Sequence, residues 1–172
     1  MDFTKRGLLI NGGLGVAGAA GAMLLGAAWR GAFAAEPAKF EVSFSDEEWR
    51  KRLSANEYAI LRKEGTERPF SSPLNDEHRK GMFSCAGCAL ALFSSSTKFD
   101  SGTGWPSFWQ PLPKAVGENR DVTLGMVRTE VHCRRCGGHL GHVFDDGPKP
   151  TGLRYCMDGF ALVFKPAAPS AT

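Results

Sequence analysis

A mostly antiparallel β domain with short helices on its N-terminal side is the fold class this sequence predicts. Three observations point there. The 172 residues include 12 Phe, 21 Gly and 10 Pro, a mix that favours short strands broken by turns. Two Ser-x-x-Glu boxes stand close together near residue 50. After Gly81 the pattern changes to short apolar runs separated by turn residues, with no heptad and no repeat beyond two C-x-x-C pairs.

The first 34 residues stand apart from this domain. Lys5 and Arg6 precede an uncharged run from Gly7 to Ala28, and Ala32 to Ala34 read "AFA", a small-x-small cleavage site. "TKRGLLI" resembles a twin-arginine export signal with Lys for the first Arg. Residues 1–34 are therefore expected to be an export signal that delivers the protein to the bacterial periplasm. Left uncleaved, the run is long enough to anchor the chain in a membrane. Of the 21 basic and 18 acidic residues, Lys5, Arg6, Arg30 and Asp2 lie here, which leaves 18 basic against 17 acidic. A near-neutral domain gives no electrostatic case for nucleic acid as partner.

Residues 35–166 are expected to form the working domain. Ser45 with Glu48 caps a first helix running to about Leu53; Ser54 with Glu57 caps a second, stopped by Gly65. "TERPFSSPLNDEHRKG" reads as an irregular surface segment. "ALALFSS", "GMVRTEVHC" and "FALVF" read as strands, and "DSGTG", "QPLP", "CGGH" and "DDGPKPTG" as turns. Residues 167–172 make a small, Pro-containing tail, expected to be loose.

Four of the five cysteines fall into two hooks, Cys85–Cys88 and Cys133–Cys136. Two such hooks can offer four thiolates in a tetrahedron, with Gly87, Gly137 and Gly138 placed where a knuckle turn must bend. Two structural disulfides would also suit an exported protein. A thioredoxin-like C-x-x-C lacks its βαβ setting, and a deaminase site lacks its H-x-E and P-C-x-x-C. One closed structural zinc ion is the favoured reading, and it leaves no coordination position open for catalysis. The 44 residues between the hooks imply a staple across one domain rather than a finger.

Cys156 is left alone. A free cysteine is usually a small buried hydrophobe. It becomes a nucleophile only as thiolate, favoured by His or Arg nearby. Arg154, two residues before it, would share its face on a strand. His139 and His142 stand in "GGHLGHVF", and Trp105, Phe108 and Trp109 in "SGTGWPSFW".

"KFDSGTGWPSF", "CGGHLGHVFDDGPKPTGLRYC" and the two hooks together resemble the type B methionine sulfoxide reductases, over roughly Phe40 to Lys165. That resemblance implies two antiparallel sheets arranged as a β-tent and the reduction of the R epimer of methionine sulfoxide. It makes Cys156 the nucleophile and Cys85, Cys88, Cys133 and Cys136 the zinc ligands. His139, His142 and Arg154 become the polar groups around the catalytic sulfur, with His142, helped by His139, delivering a proton to the sulfoxide oxygen. Trp105, with Phe108, would hold the substrate methyl. The implied partners are oxidised proteins or peptides and a thioredoxin-like or other thiol reductant; a monomer is expected.

Two positions depart from the family pattern. Thr103 stands where many relatives carry a resolving cysteine, so an external thiol must reduce the sulfenic acid. Asp158 stands where Asn is usual; a carboxylate there would hold an imidazolium or raise the pKa of Cys156. Both departures also suit a rival reading, a zinc-stapled module that binds oxidised or unstructured peptides without catalysis.

Overall fold

The computed structural model describes residues 40–168. The expected export signal, residues 35–39 and the last four residues of the expected tail lie outside the described residues.

The two capping boxes form as the sequence predicts. Helix α1, Asp46–Arg52, starts at Ser45, whose hydroxyl accepts from the Glu48 N–H while the Glu48 carboxylate accepts from the Ser45 N–H. Helix α2, Ala55–Lys63, repeats the device with Ser54 and Glu57. Its left-handed terminal residue is Glu64 (φ 54°), one position before the expected Gly65. Trp49, Tyr58, Ile60 and Leu61 are the core residues these helices bury.

Nine strands follow among the described residues: β1 Gly81–Cys85, β2 Ala91–Ser94, β3 Lys98–Phe99, β4 Ser107–Phe108, β5 Val116–Asp121, β6 Arg128–Cys133, β7 His139–Phe144, β8 Arg154–Met157 and β9 Leu162–Pro166. They make two antiparallel sheets. One has three strands in the order β2-β1-β9; the other has six in the order β3-β4-β8-β7-β6-β5. Two of the expected strands are shorter than their apolar runs, and the third, β9, is the same length but lies two residues later. A 3-10 turn at Thr123–Gly125 ends on the first residue of "GMVRTEVHC", and one at Gly159–Ala161 takes the first two residues of "FALVF".

An aromatic core sits between the sheets. Phe108 of β4 stacks on Phe93 of β2 with ring centroids 4.3 Å apart and meets Phe83 of β1 edge-on at 5.0 Å. All three are fully buried. Burial of each ring is worth about 2–3 kcal/mol before conformational entropy is counted. The sequence reading of Phe108 as a substrate contact is thus corrected. Adjacent residues of a strand point to opposite faces, and β4 sends Ser107 towards the site and Phe108 into the core.

Candidate active site and cysteine cluster

The two hooks come from different sheets. Cys85 ends β1 and Cys133 ends β6, so the cluster ties the three-stranded sheet to the six-stranded one. The four sulfurs lie within 4.8 Å of one another, with Cys85 and Cys136 3.7 Å apart and Cys88 and Cys133 3.5 Å apart. Bonds of about 2.3 Å in a tetrahedron separate thiolates by about 3.8 Å, so the donors fit one ion. All are free thiols, which removes the disulfide reading. No carboxylate or imidazole joins the group among the described residues.

Both knuckles are built alike. The residue after each second cysteine is left-handed, Ala89 at φ 60° and Gly137 at φ 66°. Each returns its N–H to the carbonyl of the first cysteine, at 2.8 Å in both hooks. Gly137 is needed for space as well, since a Cβ there would lie 2.2 Å from the Phe40 ring.

Cys156 occupies the middle of β8, paired in register with His142 of β7 and Ser107 of β4. Residues opposite one another on neighbouring strands share a face, so the pairing delivers both side chains towards the sulfur. Gly141 lets β7 come this close; a Cβ there would meet the Cys156 carbonyl at 2.2 Å. The sulfur borders a cavity of about 130 Å³ whose wall also includes Thr66, Trp105, Arg128, His142, Phe144 and Asp158. The aromatic residue beside Trp105 is therefore Phe144, not Phe108.

Hydroxyls and a guanidinium surround the sulfur. Thr103 Oγ1 lies 3.9 Å from Cys156 Sγ and 2.8 Å from Ser101 Oγ, which lies 2.8 Å from Ser107 Oγ. Arg154 shares the face of Cys156, as its spacing predicts. It is held by two bonds to Asp146, at 2.8 and 2.9 Å, and by the Phe144 ring, 4.4 Å from its carbon. Burial nevertheless pushes the Cys156 thiol up. Thr103 and Arg154 pull it down, Asp158 pushes it further up, and burial prevails. The resting sulfur is a thiol, so attack requires a base.

His142 supplies a candidate. Its Nε2 lies 2.8 Å from Asp121 Oδ2, and burial pushes the imidazole down despite that carboxylate. A neutral ring that donates through Nε2 keeps a lone pair on Nδ1. Asp121 is itself fixed by the Thr123 N–H and hydroxyl and by Arg128, which hold its carboxyl far below the usual range.

His139 takes a different place. It is buried, with Nδ1 2.8 Å from Glu130 Oε1, and faces a larger neighbouring cavity rather than the sulfur. Its ring meets that of His142 edge-on at 5.3 Å, so it touches the site through His142.

Asp158 is buried and accepts the Glu67 N–H at 2.9 Å. The imidazoles are held by Glu130 and Asp121, so the expected Asp158–imidazolium pair is absent among the described residues; the expected upward push on Cys156 is present. Glu67 gives its two carboxylate oxygens to the N–H groups of Gly159 and Phe160 and its carbonyl to the Trp105 indole. Sequence reasoning missed Glu67, Asp121, Glu130 and Ser107. Only Ser107 carried a signal, its position two residues after Trp105 in "GWPSF".

Residues 53–166 match the SelR domain family. The chain is 57% identical over 127 residues to the peptide methionine sulfoxide reductase MsrB of Agrobacterium fabrum, covering 73% of this chain and 94% of that protein. It is 58% identical over 123 residues to the protein of that name from Bradyrhizobium diazoefficiens, covering 71% and 88%. For the Leptospira interrogans protein the identity is 52% over 127 residues, covering 73% and 97%.

Proposed function

The chain belongs to the SelR-domain family, the type B methionine sulfoxide reductases, and we propose that it reduces the R epimer in oxidised proteins and peptides through a sulfenic acid on Cys156. The observation that carries this reading is a half-buried lone thiol on the wall of a small cavity, with an imidazole opposite and two aromatic rings beside it.

His142 Nδ1 takes the thiol proton and Cys156 Sγ attacks the sulfoxide sulfur. The imidazolium so formed, with His139 behind it, delivers that proton to the sulfoxide oxygen as the oxygen's bond to the substrate sulfur breaks and a new bond forms on Cys156. The substrate sulfur gains two electrons and leaves as the thioether; Cys156 loses two and is left as sulfenic acid. Trp105 and Phe144 hold the methyl group, and the wall they make selects the epimer. Arg154 offsets negative charge on the sulfur.

The nearest group to Cys156 where a second thiol could stand is the Thr103 hydroxyl, and the other four cysteines form the cluster. A thioredoxin-like protein or other external thiol therefore restores Cys156. Cys85, Cys88, Cys133 and Cys136 would hold one zinc ion, whose chemistry is structural because all four donors are protein sulfurs. The enzyme acts as a monomer in the periplasm, delivered by residues 1–34.

Incubation with each epimer and dithiothreitol tests the reading: loss of the R epimer alone is expected. A mass spectrum after substrate without reductant should show one added oxygen on Cys156. Binding of oxidised peptides with no turnover of either epimer would favour the non-catalytic module.

A further inference from the structure

Resting on the reduction of methionine sulfoxide at Cys156, we propose that the Thr103 hydroxyl, ordered by Ser101 and Ser107, is the site that receives the sulfenic oxygen of Cys156 and holds it while an external thiol attacks. The sulfur has two sides. One faces the cavity walled by Trp105, His142, Phe144 and Asp158; the other faces Thr103, which does not border that cavity. Asp100 ties the loop that carries Thr103 by accepting the Gly102 N–H at 2.9 Å.

Three hydroxyls in a row end on a group that can only accept. Ser107 is fully buried and donates to the Trp105 carbonyl at 3.1 Å. Its lone pairs are left for Ser101, 2.8 Å away, and Ser101 in turn accepts from Thr103 Oγ1 at 2.8 Å. Thr103 then presents a lone pair to Cys156 Sγ at 3.9 Å. That separation is long for a hydrogen bond, and an oxygen carried on Sγ and turned this way closes it. A sulfenic O–H donating to Thr103 completes a row of bonds that all run one way, from Cys156 to the Trp105 carbonyl. The Thr103 N–H also points at Ser101 Oγ, at 3.4 Å, so the Thr103 hydroxyl can turn its hydrogen to a thiolate while Ser101 keeps a donor.

Oxygen transfer leaves the new S–O bond on the cavity side, where the substrate lay. Displacement at sulfur runs in line with the bond that breaks, so a thiol cannot enter through the cavity while the oxygen fills it. Rotation about Cβ–Sγ carries the oxygen to Thr103 and opens the cavity side to the reductant. The step balances. The external thiolate bonds to Sγ as the Sγ–O bond breaks. The electron pair of that bond leaves with the hydroxyl, which takes the proton the thiol gave up and departs as water. Cys156 is left in a mixed disulfide; a second thiol displaces it, Cys156 returns to the thiol and the reductant becomes a disulfide.

The test follows the two half-reactions separately in the wild type, Thr103→Val and Thr103→Ser. Methionine formed in a single turnover from the R epimer reports the first. Loss of the added oxygen from Cys156 on addition of dithiothreitol, followed by mass spectrometry, reports the second. In Thr103→Val the first should slow by no more than about threefold and the second by about tenfold, the share of one hydrogen bond; Thr103→Ser should restore the second to within about twofold of wild type. A second step within about twofold of wild type in Thr103→Val, an equal fall in both steps, or no rescue by Thr103→Ser would overturn the proposal and leave the reductase reading standing. No turnover by the wild type, or turnover retained in Cys156→Ser, would remove that reading and this one with it.

Discussion

Five cysteine sulfurs of one chain meet two opposite fates. Four are drawn together from the ends of two strands in separate sheets, within 4.8 Å of one another, and spend their donor capacity on one point. The fifth sits mid-strand among hydroxyls, an imidazole and a guanidinium, and opens on a cavity. The residue type is the same; the difference lies in backbone geometry. Knuckles at Ala89 and Gly137 turn the chain around a common centre, whereas register pairing with Ser107 and His142 brings varied neighbours to Cys156. A cysteine's chemistry is thus decided by how the chain presents it.

The sharpest way to break that contrast is Cys156→Ser. Turnover should fall by at least about 10³-fold, while metal content by emission spectroscopy and the unfolding midpoint stay at wild-type values. Cys133→Ser should do the reverse to the scaffold: the ion is lost with more than about 4 kcal/mol of stability, read by denaturant titration, because a metal that joins the sheets is part of folding. Equal metal loss in the two variants would erase the distinction.

A smaller effect separates the sites by pH. Asp158 binds its proton more tightly folded than unfolded, so its contribution is present below about pH 4 and is lost as pH rises through about 7. At roughly 1.4 kcal/mol per pH unit, the loss is at most about 4 kcal/mol. Asp158→Asn should therefore be more stable than wild type at pH 8 and equal to it at pH 4, by thermal unfolding. The smallest effect belongs to Thr103→Val. Without the hydroxyl that pulls the Cys156 thiol down, alkylation of Cys156 by iodoacetamide at pH 8 should slow by about threefold.

The parts of the molecule legible beforehand are those written locally. Ser45 with Glu48 and Ser54 with Glu57 announce their helices within a turn, and the hooks carry their spacing in four residues. Arg154 and Cys156 share a face because strands alternate. The same rule, applied to "GWPSF" without knowing where β4 begins, put Phe108 at the site and overlooked Ser107. β5 reads "VGENRD", largely polar and exposed, and nothing in it marks a strand or singles out Asp121 as the partner of His142. Glu67 lies more than ninety residues from the N–H groups it binds, a separation no local pattern can express.

That residue has a mechanical consequence. Glu67 holds Trp105 by its carbonyl, Asp158 by its amide and the 159–160 turn by its carboxylate, from a segment that belongs to neither sheet. One buried side chain of irregular backbone thus pins three parts of the pocket at once, so loosening it would free them together while the cysteine cluster still joined the sheets. Amide hydrogen exchange around residues 66–68 should outpace that of the strands beneath it.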